Sequence, residues 1–163
     1  MEVRLAADAD ARAIETIRVR GWQTAYRHVF PLTELDAMPI DETRWRQRLA
    51  QPPPGWVTFV AENEGHVVGF ATIGPSRDEE GCGELYAIYV APESWSTGAG
   101  RALMLRAEDE LRSRYAEATL WVLEDNPRAR AFYERAGWSP DGARKSEARW
   151  DTQAPEVRYH KHL

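Results

Sequence analysis

Cysteine is almost missing from this chain of 163 residues, and its one thiol, Cys82, has no partner for an internal disulfide or a Cys-rich metal site. That scarcity fits a reducing cytoplasm. No run of eighteen apolar residues occurs, so no membrane-spanning helix is expected. The opening residues, MEVRLAADADARAIETIRVRGW, lack the apolar centre of a signal peptide. Basic residues are outnumbered, 21 Lys+Arg against 26 Asp+Glu, for a net charge of −5, which argues against a nucleic-acid-binding surface. The four histidines show no i,i+4 pair, and His160 and His162 read as tail composition, so no metal is expected. Repeats, low-complexity tracts and linkers are absent.

Apolar and aromatic material is plentiful. Hydrophobic residues make up 43%, with seven Trp, six Tyr and four Phe, enough for one domain over residues 1–163 with a substantial core. Val3–Ala6 reads as a strand, after which Asp8 or Asp10 can cap a helix carrying Ile14, Ile17, Trp22, Ala25 and Tyr26 on one stripe. Gly21 is expected to bend or break that helix. A short helix at 33–38 and a longer one at 41–50 follow, stopped by Pro52, Pro53, Pro54 and Gly55. The period then changes to that of strands, at 57–62, 66–73 and 84–90, the third nearly all apolar and so central. A helix at about 98–115, a strand at 118–123 and a helix opened by Asn126-Pro127 come next. Turn signals at Pro140-Asp141-Gly142 and near Pro155 divide the remainder into two closing strands. The order is β-α-α-β-β-β-α-β-α-β-β, a mixed α/β (α+β) sheet with interleaved helices.

Two segments carry chemistry. Ser96-Thr97-Gly98-Ala99-Gly100-Arg101 follows a strand end and opens a helix, so glycines, free amides and helix dipole together favour an anion. No acid occurs from Ser94 through Ala107, whereas Arg101 and Arg106 do. The segment lacks the third glycine of a dinucleotide fingerprint and the Gly-Lys-Ser/Thr of a P-loop. In the second segment Asn126 caps a helix with Pro127 at its first position, and Ala129, Phe132, Tyr133 and Ala136 share a face before Gly137 stops it.

Together the segments Val90-Ala-Pro92-Glu-Ser-Trp95-Ser-Thr-Gly98-Ala-Gly100-Arg101 and Asn126-Pro-Arg-Ala129-Arg-Ala-Phe132-Tyr133-Glu-Arg-Ala-Gly137-Trp138 resemble the signature pair of the GNAT superfamily of N-acetyltransferases. The order of strands and helices matches along the whole chain. The departure is Trp95, where the family usually carries Arg or Gln. The resemblance implies acetyl-CoA as cosubstrate. The backbone of Ile88, Tyr89 and Val90 would pair with the pantetheine arm, and Ser96 to Arg101, with Ala99, would hold the pyrophosphate. Asn126 would contact the cosubstrate near the thioester, with Tyr133 close to the sulfur. A homodimer is compatible with the resemblance, since such proteins often pair.

Acetyl transfer from a thioester to an amine needs a neutral amine, a stabilised oxyanion and a proton for the departing thiolate. An alkyl amine is only about 0.04% neutral at pH 7, a deficit of roughly 4.6 kcal/mol, so a base is useful. Glu84 is the expected base: strand alternation puts it on the side of Tyr86, Ile88 and Val90, and several family members carry a glutamate there. Glu124 and Asp125 are the runners-up. Tyr133, protonated at pH 7, is the expected acid, and Trp22, Tyr26 and Tyr86 are the expected acceptor residues, with Trp45 and Trp56 as further candidates. The negative charge is uneven. Residues 1–92 carry 9 basic and 14 acidic side chains, residues 93–135 carry 7 and 8, and residues 136–163 carry 5 and 4. An acidic first half would favour a cationic amine as acceptor. Two other readings stay open: a module of the same fold that binds acyl-CoA without turnover, and an unrelated nucleotide-binding α/β domain.

Overall fold

A computed structural model covers residues 1–163. Seven strands form one sheet in the order β1-β2-β3-β4-β5-β7-β6: β1 (Glu2–Leu5), β2 (Val57–Asn63), β3 (His66–Pro75), β4 (Gly83–Val90), β5 (Glu117–Leu123), β6 (Ser139–Arg149) and β7 (Thr152–His162). All neighbours run antiparallel except β4 and β5. That parallel pair is registered only at Gly83↔Ala118 and Glu84↔Thr119. Beyond it β4 stays with β3 and β5 stays with β7, so the sheet opens into a V whose two inner edges lack a strand partner. Between β4 and β5 lies the crossover helix α4, as a parallel connection requires.

Five α-helices dress the sheet: α1 (Ala11–Ala25), α2 (Leu32–Asp36), α3 (Thr43–Ala50), α4 (Ala99–Arg112) and α5 (Pro127–Arg135). Both short and long helices precede β2, so the order holds three helices there rather than two. On one face α4 sets Ala99, Leu103, Met104, Ala107 and Leu111 against Phe59, Ile73, Leu85 and Leu120. Each fully buried leucine there contributes about 1.5–3 kcal/mol of apolar transfer. The opposite face holds α1 and α3, with Ile14, Ile17 and Trp45 on Val60 and Phe70.

Helix α1 runs unbroken through Gly21. A Cβ at Gly21 would stand 3.0 Å from Cδ1 of Tyr89, so the residue serves close packing of helix on strand, not a bend. The closing hairpin also differs from expectation. Its turn is Trp150-Asp151, both at positive φ (48° and 58°), the pattern of a two-residue turn between antiparallel strands. Asp141-Gly142 instead lies inside β6, where the register shifts between Pro140 and Arg144, and Pro155 sits within β7 facing Ser146. Proline and glycine mark bulges as readily as turns, which is why those two signals pointed to the wrong places.

Candidate active site

A bulge in β4 decides what faces the cleft. Thr72 pairs with Ala87 and Ile73 with Leu85, so Tyr86 is the extra residue and the alternation slips by one. Leu85 packs in the core beneath α4, and Gly83 points at Leu111 and Tyr115 of that same side. Ile88 and Val90 also join the α4 core, so Glu84 lies on the face opposite to them. This corrects the expectation from simple alternation. Glu84 is 0% exposed and is held by Arg77: the Arg77 backbone N–H donates to Oε2 at 3.0 Å, and Nη2 donates to Oε1 at 2.7 Å. The paired carboxylate in turn raises the Arg77 guanidinium above its ordinary value.

The V between β4 and β5 is a cavity of about 710 Å³. From the expected set it brings together Trp22, Tyr26, Tyr86, Ile88, Tyr89, Val90, Ser96, Gly98, Gly100, Arg101, Asn126 and Tyr133. Glu84, Thr97 and Ala99 do not line it. Ala99, the first residue of α4, is fully buried against the sheet, and the Thr97 hydroxyl donates to Ser94 O at 2.7 Å. Trp45 and Trp56 lie elsewhere: Trp45 is in the α1–α3 core with its Nε1 donating to Glu15, and Trp56 stacks on Tyr86 at 4.2 Å. The Tyr86 hydroxyl donates to Pro75 O.

At one end of the cavity, Ser96 (φ 64°) and Gly98 (φ 95°) bend the loop into the start of α4. Positive φ turns successive amides toward one point, an arrangement suited to an anion. Trp95 braces this loop. Its Nε1 donates to Val90 O at 2.8 Å, and the Arg128 guanidinium lies 3.4 Å from the centroid of its ring. Arg101, Arg128 and Arg135 line this end, and no carboxylate does, since the only acids in the lining are Glu147 and Glu156.

At the junction, Asn126 caps α5 by accepting from Ala129 N at 3.2 Å. About two turns on, Tyr133 is 8% exposed, and its hydroxyl makes no hydrogen bond within the chain. Burial, and Tyr89 nearby, push that phenol above its ordinary range and keep it protonated. Trp22 donates from Nε1 to the Tyr89 hydroxyl at 2.9 Å and stacks with Phe30 at 5.5 Å, while Trp150 from the closing hairpin meets Trp22 edge-on.

Acid in the lining comes from β6 and β7, not from the first 92 residues, which contribute no carboxylate. The charge gradient along the chain therefore does not map onto the cavity. The Glu156 side chain is 14% exposed. Its Oε2 is buried without a hydrogen-bond partner, with Lys145 Nζ at 3.6 Å, and burial raises its carboxyl. Glu156 sits opposite Leu123 in the β5–β7 register, on the face shared with Trp121. No pattern in the sequence marks it, because its neighbour is 33 residues away and the pairing is set by the hairpin turn.

The family model described as "Acetyltransferase (GNAT) family" matches residues 19–138, the stretch containing the cavity's loop, β4, β5 and α5. The chain belongs to the GNAT acetyltransferase family. Among curated GNAT relatives, an uncharacterized N-acetyltransferase of Bacillus subtilis, YuaI, is 38% identical over 145 residues, 85% of this chain and 79% of that one. A mycothiol acetyltransferase of Beutenbergia cavernae is 32% identical over 108 residues, 66% of this chain but only 36% of that longer protein. The GNAT fold is shared with the PaiA N-acetyltransferase of Thermoplasma acidophilum, solved with coenzyme A: TM-score 0.80, 16% identity, 99% and 98% of the two chains. A putative acetyltransferase of Salmonella typhimurium, yncA, solved with acetyl-CoA, has TM-score 0.77 at 20% identity, over 99% and 93%. This GNAT chain has no helix long and apolar enough to cross a membrane.

Proposed function

We propose that the protein transfers the acetyl group of acetyl-CoA directly to an amine of a small molecule or peptide, with the reaction centred where β4 and β5 part. The observation that carries this reading is the single cavity joining an acid-free, arginine-lined loop to Tyr133. The PaiA and yncA proteins, which hold coenzyme A and acetyl-CoA in the same fold, support the choice of cosubstrate. The loop amides at Ser96–Arg101, with Arg101 and Arg128, suit the pyrophosphate, and the unpaired β4 edge at Ile88–Val90 suits the amides of the pantetheine arm. Trp95 supplies no positive charge; it holds the loop and Arg128 in place.

In the reaction the amine nitrogen attacks the thioester carbonyl carbon, forming the C–N bond. A backbone N–H of the bulged β4 segment stabilises the oxyanion. The C–S bond then breaks, and the thiolate takes the Tyr133 proton. The nitrogen's surplus proton goes to a carboxylate. Glu84 is engaged by Arg77 outside the cavity, so we assign this role to Glu156, directly or through one water. Glu147 and Glu156 give the acceptor side a negative field, which favours a cationic acceptor such as a diamine or a basic peptide.

A thiol-release assay with acetyl-CoA against amines of each class tests this. Release dependent on a cationic amine supports the reading. Saturable acetyl-CoA binding without release across the panel would make the protein an acyl-CoA-binding module instead.

A further inference from the structure

Far from the cavity, the β5–β7 pairing assembles three side chains that are 43 and 45 residues apart in the chain. Glu117 begins β5 and is the register partner of His162, while His160 is the partner of Thr119. Paired residues, and residues two apart on a strand, share a face, so Glu117, His160 and His162 project together. Glu117 Oε1 is 3.0 Å from His162 Nδ1, and Oε2 is 3.5 Å from His160 Nε2. The three ligand atoms all lie within 4.8 Å of one another, and the imidazole planes stand at 89°.

We propose that Glu117, His160 and His162 form a binding site for a divalent metal ion of the zinc, nickel or cobalt class. Two nitrogen or oxygen donors on a tetrahedral ion, at bonds of about 2.1 Å, are about 3.4 Å apart. The Glu117–histidine distances of 3.0 and 3.5 Å, one to each carboxylate oxygen, bracket that spacing, and the three ligand atoms lie within 4.8 Å, so small side-chain rotations would bring them around one ion. Two imidazoles and one carboxylate select borderline cations over magnesium or calcium, which prefer an all-oxygen shell. Exposure grades from 28% at the His160 side chain to 79% at His162, which leaves a route from solvent and room for water to complete the coordination. Beside the cluster Thr119, fully buried, has an Oγ1 that no group of the fold satisfies. Such a group suits the outer contacts that orient metal-bound imidazoles.

The site lies at the opposite end of β5 from Leu123, about 13 Å along the strand from Trp121, the nearest β5 residue of the cavity lining, at ~3.3 Å per residue. Its role is therefore to clip the last strand, β7, to β5, not to take part in acetyl transfer. The histidine pair alone did not reveal it, because the third ligand is supplied by the sheet register.

The test is isothermal titration of the full chain with Zn²⁺ near neutral pH, with thermal unfolding and the Co²⁺ visible spectrum alongside. A single saturable site is expected, with a higher unfolding temperature and a cobalt spectrum lacking the thiolate charge-transfer band that Cys82 would give. His162→Ala and Glu117→Gln should each weaken binding about tenfold or more. Both positions are exposed enough to change without unfolding the chain, which unfolding curves in chelator verify. No saturable binding by the unaltered protein, or equal binding by both variants, overturns the proposal.

Discussion

Replacing Glu156 by glutamine separates the proposed chemistry from the packing of the cavity. The substitution keeps the shape of the side chain and removes only its ability to accept a proton. General-base catalysis is worth about 10²–10⁴ in rate, or roughly 3–5 kcal/mol, comparable with the deficit of about 4.6 kcal/mol in neutral alkyl amine at pH 7. Turnover by E156Q should therefore fall about 100-fold or more at pH 7. The loss should shrink toward pH 10, where the amine itself is neutral. Stability should move the other way. Burial raises the Glu156 carboxyl in the folded protein, so its ionisation disfavours folding as pH rises through that raised value. Its Oε2 also lacks a partner. At pH 8 the glutamine variant should unfold no earlier than the unaltered protein, and later if the amide finds a partner. Steady-state thiol release from pH 6 to 10, with thermal unfolding at pH 5 and 8, reads both effects. Full activity of E156Q at pH 7 would refute the assignment of the base.

Further consequences attach to other residues. Trp95→Ala removes both the bond to Val90 O and the platform under Arg128, and should raise KM for acetyl-CoA about tenfold with little change in kcat, measured by initial rates. The buried Glu108 carboxylate accepts from Lys161 Nζ at 2.8 Å on both oxygens and from Trp138 Nε1 at 2.9 Å, joining α4 to β7. Lys161→Met strands that charge and should cost about 3 kcal/mol in chemical denaturation, while the double variant with Glu108→Leu should recover most of it. Zn²⁺ should raise the unfolding temperature of the unaltered protein and not that of a variant lacking Glu117, His160 and His162.

Much of the fold was legible because its signals are local. Asn126 and Pro127 open α5 as their chemistry demands, and Asp41 accepts from Thr43 N at 3.0 Å at the start of α3. Two of the errors share one cause, the displacement of a strand's alternation by an inserted residue, whereas Gly21 signalled close packing on Tyr89 and not a helix break. A bulge at Tyr86 turns Glu84 away from Ile88 and Val90, and a bulge near Gly142 looks like a turn in the sequence. The proposed cosubstrate end of the cavity is built largely from contiguous residues, 94–101 and 126–135, and so could be read directly. The proposed acceptor end, and the separate Glu117 cluster beyond the cavity, depend on register: Glu156 faces Leu123, and Glu117 meets His162, only because Trp150 and Asp151 fix where β7 begins.

Tyr133→Phe tests the central claim most directly, because it deletes one hydroxyl that makes no hydrogen bond within the chain. Thiol release from acetyl-CoA is measured against an amine panel, with acetyl-CoA affinity determined separately by calorimetry. Transfer to an amine by the unaltered protein, a fall in kcat of about 10²–10³ in the variant and an unchanged Kd are the predicted result. Equal turnover by the two proteins would contradict it.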